Sequence, residues 1–150
     1  FLKKNINNIE VKKLSLQFSN SVYKKIINCP NIFGVKALLN YFKNSKIIAV
    51  NSATPTKELK KIIEKRNEKK FFNSICGFPY KKQKNLKILL KRHKIKRKDA
   101  IFFGDSLQDY LSAKKVSMDF VWVGKSIKTN MKHIDTNILY IKNFSKIIIN

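Results

Sequence analysis

Two carboxylates four positions apart, Asp105 and Asp109, have the spacing in this chain that most directly suggests chemistry. They stand in Phe103-Gly-Asp-Ser-Leu-Gln-Asp109, where an apolar run stops at a glycine and a new apolar pattern begins. If the run is a strand and the pattern a helix, both carboxylates can face one point at the strand end. Two anions so placed repel unless a cation lies between them, and a hard dication such as Mg²⁺, held by carboxylate and phosphate oxygens, suits that position. The plainer role for Asp105 is to cap the helix that follows.

Ser52 and Ala53 offer a second feature, a hydroxyl beside a backbone N–H at the end of another apolar run, a pair suited to a phosphoryl oxygen. A serine in a turn usually bonds its own backbone, which is the simpler reading. Lys82 could neutralise charge developing on a phosphoryl group. It is one of ten basic residues between Lys81 and Lys98, so composition alone does not separate it from a solvated lysine.

The elements that must position these residues follow from the apolar periodicity. Phe18, Val22 and Ile26 recur at a four-residue spacing, and Val35, Leu38, Leu39 and Phe42 trace a second helical stripe, with Pro30 and Gly34 between them. Lys46–Val50 reads as a short buried strand, Ser52–Thr54 as the turn leaving it, and Thr54-Pro55 as the N-cap and first residue of a helix whose inner face is Leu59, Ile62 and Ile63. Phe71–Cys76 predicts another strand, closed by Gly77 and Pro79, and Leu86, Leu89, Leu90 and His93 a third amphipathic helix. The unit repeats in Ala100–Phe103 and the helix begun by Leu107, Tyr110 and Leu111. Asp119–Val123 and Ile138–Ile141 are further strands, and Phe144, Ile147 and Ile148 a terminal amphipathic piece. Strands alternating with helices imply right-handed crossovers and a doubly wound, parallel α/β sheet. Ligands bind such sheets at the carboxyl ends of the strands, so the loops 51–55 and 104–106 should share one rim.

Composition narrows the classes. A chain of 150 residues, 43% hydrophobic, can bury one substantial core. No apolar stretch approaches the roughly 20 residues of a membrane span, so no membrane partner is expected. Cys29 and Cys76 lie far apart without a Cys-x-x-Cys pair, which indicates neither a zinc site nor a disulfide framework and fits a reducing, cytoplasmic setting. The formal net charge of +24 would ordinarily suggest a polyanion partner. However, Lys, Asn and Ile are enriched together, as codon bias alone would produce, and the basic residues have no interleaved aromatics, so nucleic acid is not the expected partner. His93 and His133 are read as structural or solvated, Trp122 as part of a strand core, and Cys76 as a buried filler.

Taken in order, Val50-Asn-Ser-Ala-Thr-Pro55, Gly77-Phe-Pro-Tyr-Lys-Lys82 and Phe103-Gly-Asp-Ser-Leu-Gln-Asp109 resemble the second, third and fourth signature motifs of the haloacid dehalogenase-like (HAD) hydrolases. The similarity runs from about Phe18 to Gly124, and its phosphatase branch, near phosphoglycolate and sugar-phosphate phosphatases, is the nearest in pattern. The resemblance implies a Rossmann-like core over residues 34–150 with the end of a helical cap and linker over residues 1–33. It implies that Ser52, with the Ala53 N–H, binds the phosphoryl group, that Lys82 stabilises its charge and that of the nucleophile, and that Asp105 and Asp109 organise Mg²⁺. The substrate it implies is a small phosphorylated metabolite. Members of this family attack with the first Asp of an upstream Asp-x-Asp motif and pass through an aspartyl-phosphate. This sequence has no Asp before Asp99, so the expectation is an N-terminally incomplete chain, inactive alone and lacking the first strand and its nucleophile. Two other readings stand beside it: a non-catalytic relative that binds a phosphorylated ligand or a partner protein, and a basic nucleic-acid-binding module.

Overall fold

The computed structural model describes residues 23–124, 137–145 and 147. The chain divides into two compact units, Phe1–Pro30 and Asn31–Asn150. In the first, residues 23–28 form helix α1, and Ile26 belongs to it as its spacing predicts. Phe18 and Val22 lie outside the described residues, as do His133 and Ile148.

The second unit runs α2 (Val35–Phe42), β1 (Ala49–Pro55), α3 (Thr56–Lys65), β2 (Ser74–Phe78), α4 (Lys82–His93), β3 (Ile101–Gly104), α5 (Leu107–Lys114), β4 (Asp119–Val123) and β5 (Leu139–Ile141). All strand pairings are parallel, as helical crossovers require. The class is therefore α/β, with parallel strands in open sheets and helices between them.

Helix α3 buries Leu59, Ile62 and Ile63, the stripe read from the sequence, against β1 and β2. Complete burial of such a side chain stabilises by about 1.5–3 kcal/mol, enough to fix which face of α3 turns inward. Helix α4 buries Leu86 and Leu89. His93, at its end, meets the Ser74 hydroxyl at 2.8 Å and ties the helix to β2, a structural role. On the other side Phe120 packs edge-on against Phe102, Tyr110 and Trp122 at 5.9, 5.8 and 6.2 Å, joining β3, β4 and α5.

Several expectations change. β1 begins at Ala49 rather than Lys46, because before it the Asn73 side chain substitutes for a strand partner: the Ile48 N–H donates to Asn73 Oδ1, and the Asn73 N–H donates to the Ile48 carbonyl, each at 2.8 Å. The strand then continues through Thr54, so Pro55, not Thr54, holds the N-cap position of α3. Thr56 Oγ1 donates to the Phe78 carbonyl at 3.0 Å and accepts from the Gly77 N–H at 3.1 Å, which fastens this corner to β2. Similarly, β2 starts at Ser74, after a 3-10 turn at Lys69–Phe71 that buries Phe71.

A further difference concerns the sheet. Hydrogen bonds define two groups, β1-β2 and β3-β4-β5, and among the described residues β1 and β3 are not paired with each other. Helices α4 and α5 pack together and against the two groups, α4 on β1 and β2 and α5 on β3 and β4, so they span the division. Among the described residues each group thus carries an open strand edge, and on β3 the apolar Ile101 and Phe103 are 57% and 37% exposed.

Candidate active site

The site assembles where the carboxyl ends of β1, β2 and β3 meet the first turns of α4 and α5. Lys82 opens α4, and no side chain caps that helix from within its own segment. A buried amide network anchors it instead. Asn51, in β1 just before its register with β2 shifts, donates from Nδ2 to the Lys82 carbonyl at 3.0 Å. Its Oδ1 accepts from Asn85 Nδ2 at 3.0 Å, and the same Asn85 nitrogen donates to the Gly77 carbonyl at 3.2 Å. Asn85 is 2% exposed, so these bonds form in a low-dielectric setting, where a satisfied network holds its geometry firmly.

Gly77 makes the close approach possible. A Cβ there would lie 2.2 Å from the Thr54 carbonyl oxygen, so only glycine lets β2 run this near the end of β1.

From this anchored turn Lys82 Nζ reaches Asp109 Oδ1 at 2.6 Å, with the two side chains 18% and 5% exposed. The other carboxylate oxygen of Asp109 accepts from Ser106 Oγ at 2.5 Å, while the Asp109 N–H donates back to that hydroxyl at 3.2 Å. Ser106, not Asp105, is therefore the residue that caps α5. Gly104 again provides the space, since a Cβ on it would stand 2.4 Å from Asp109 Cβ.

The remaining predicted residues sit beside this pair. Asp105 is exposed at the rim, one residue past β3. Ser52 is half-buried in the strand that Asn51 anchors; its hydroxyl donates to Thr54 Oγ1 and accepts from the Thr54 N–H, both at 3.1 Å, and Ala53 beside it is exposed. The structure thus brings Lys82 and Asp109 into direct contact and links them to β1 through Asn51, while the Ser52 hydroxyl bonds locally.

Mg²⁺ takes one or two carboxylates and completes its shell with water and phosphate oxygens. Asp105 and Asp109 are hard oxygen donors and fit that requirement, with Asp105 the readier ligand because both oxygens of Asp109 are already engaged. Among the described residues no three His, Cys, Asp or Glu side chains cluster as an all-protein metal cage.

Cys76 belongs to β2, and burial pushes its thiol above the usual range, a trend that nearby Arg92 and Lys60 partly oppose. A thiol held in its neutral form is not a nucleophile. Asn85 was not singled out from the sequence, although its spacing to Leu89 places it on the buried face of α4. A polar residue there requires a buried partner, and that was the available signal. Asn51 stands within the first of the three motifs, but its residue type alone assigns it no role.

Haloacid dehalogenase-like hydrolases are matched by a family model over residues 2–123. The chain belongs to this family, and its parallel α/β core is the family's Rossmann-like core. Among solved structures, a predicted phosphoglycolate phosphatase from Haemophilus somnus superposes with a TM-score of 0.79 at 21% identity, covering 97% of this chain and 68% of its own. A predicted phosphatase from Clostridium acetobutylicum is 27% identical, with a TM-score of 0.56 over 61% of this chain and 45% of its own. A HAD-type hydrolase from Bacillus subtilis, solved bound to magnesium, has a TM-score of 0.59 at 17% identity over 77% of this chain and 52% of its own. The chain spans about half to two thirds of the length of these structures. No curated protein sequence matches it.

Proposed function

We propose that the protein is a Mg²⁺-dependent phosphatase of small phosphomonoesters, of the phosphoglycolate or sugar-phosphate class, working through an aspartyl-phosphate. The observation that carries this reading is the buried Lys82–Asp109 pair, an ammonium fixed where three strand ends converge. Phosphoryl transfer spreads negative charge over equatorial oxygens, so a preorganised cation there lowers the barrier. Lys82 serves as that cation, Asp109 and Ser106 position it, and Asn51 and Asn85 hold its backbone. The Ser52 hydroxyl exchanges its local bond for a phosphoryl oxygen, with the Ala53 N–H beside it. Asp105 would hold Mg²⁺, with Asp109 as a second donor, and the bound ion would neutralise charge on the transferring group.

The attacking carboxylate is not among these residues, because no Asp precedes Asp99. The open edges of β1 and β3 suggest where it enters, on a further parallel strand lying between them. Its carboxyl oxygen would displace the alcohol leaving group from phosphorus, and water would then cleave the acyl phosphate to release inorganic phosphate. A reducing, cytoplasmic setting agrees with Cys29 and Cys76 both being thiols.

The test uses the chain joined to such a strand, with p-nitrophenyl phosphate as substrate. Turnover is expected only with a divalent metal, and Asp105→Asn or Lys82→Ala should each lower kcat by about 100-fold or more, as loss of one electrostatic stabiliser does. Full activity in either variant would remove its assigned role. Phosphate binding without turnover would favour the non-catalytic relative, a reading supported by the absence of Asp before Asp99.

A further inference from the structure

Away from these strand ends, six basic side chains gather around one groove. Lys87, Lys91 and Lys94 come from α4 and the residue after it, Lys96 and Arg97 from the following turn, and Lys115 from the end of α5. The groove measures about 690 Å³, has Leu90, Ile95 and Val116 as its floor, and includes no acidic side chain in its lining. All six cations are exposed, and none forms an ion pair among the described residues; the nearest acid in sequence, Asp99, lies outside the lining.

The helix dipole accounts for cations in the last turn of α4, but not for Lys96, Arg97 and Lys115, which other segments bring to the same place. Sequence spacing spreads these residues along solvated faces; the α4–α5 packing is what draws Lys115 toward the α4 set. Like charges held together without acids create a potential that an anion relieves. Lys87 to Lys94 alone span about 10 Å along the helix, so the complementary anion is extended rather than a single phosphate. The lining holds no aromatic side chain on which a base could stack.

We infer that this groove binds a short linear polyphosphate. The site stands at the opposite end of α4 from Lys82 and does not depend on the catalytic reading.

Binding of short-chain inorganic polyphosphate to the full chain, followed by calorimetry across a salt series, tests it. The triple variant Lys87→Gln, Lys91→Gln, Lys94→Gln should weaken binding by about tenfold or more and flatten the salt dependence by about two to three counterions. A control that removes three equally exposed charges from α3, Lys57→Gln, Lys61→Gln and Lys65→Gln, should change either quantity far less. Circular dichroism of both variants reads whether each is folded, and single Lys91→Gln and Lys115→Gln variants give the same ordering should the triple variant unfold. Equal weakening in groove and control variants would overturn the inference in favour of net charge alone. Equal affinity for orthophosphate, or tighter binding of a single-stranded oligonucleotide than of polyphosphate, would overturn it as well.

Discussion

Lys82 and Asp109 define the chemistry at the scale of single residues, and their burial makes the pair costly to break. Removing one partner leaves an uncompensated charge in a site from which water is largely excluded. Lys82→Met is expected to destabilise the fold by about 3 kcal/mol in urea denaturation, and the double change Lys82→Met, Asp109→Leu to recover most of that loss. An unchanged midpoint in the single variant would mean that the pair is solvated. The thiols give an independent check. Cys29 is exposed whereas Cys76 is half-buried with its thiol pushed up by desolvation, so Cys29 should be alkylated first at neutral pH. The folded state holds Cys76 neutral, so its contribution to stability is complete below the ordinary thiol range. It is lost as pH rises above that range, because the unfolded chain then gives up the proton more readily.

At the level of elements, two glycines and two amides decide whether the loops meet. Gly104→Ala would drive a methyl into Asp109, and Gly77→Ala one into the Thr54 carbonyl. Each should lower stability by about 1–3 kcal/mol, the usual cost of overpacking, or more where backbone must move. Of the two, Gly104→Ala should also disturb Lys82, because Asp109 is the neighbour it displaces. Asn85→Ala leaves Asn51 and the Gly77 carbonyl short of a donor and should destabilise by about 1–3 kcal/mol in the same denaturation assay. A neutral Asn85→Ala variant would show that the amide network is not what holds the start of α4.

For the whole molecule, the division of the strands into two groups has a measurable consequence. Among the described residues β4 is hydrogen-bonded on both sides, by β3 and β5, whereas β1 and β3 each have one partner. Amide exchange should therefore be slowest in β4, and in β1 and β3 the amides aimed at the open edges should exchange far faster. Uniform protection of β1 and β3 would mean that those edges are already covered. Open apolar edges also invite association, so Ile101→Lys should reduce concentration-dependent light scattering, as edge charges do in natural sheets.

Periodicity alone located α3, α4, α5 and β4, because a one-sided apolar stripe leaves few other conformations open to the chain. The order of three short motifs pointed to the family and to Lys82, Asp105 and Asp109. Sequence could not show that Ser106 caps α5, that Asp109 faces Lys82 across 27 residues, or that Asn85 is buried, since each depends on which groups other segments bring near. The strand boundaries at Ala49 and Ser74 were set likewise by a side chain, Asn73, standing in for backbone. Local patterns fix a residue's own conformation and inward face; the partners of its polar atoms, and the gathering of lysines into one groove, are decided only when distant segments pack.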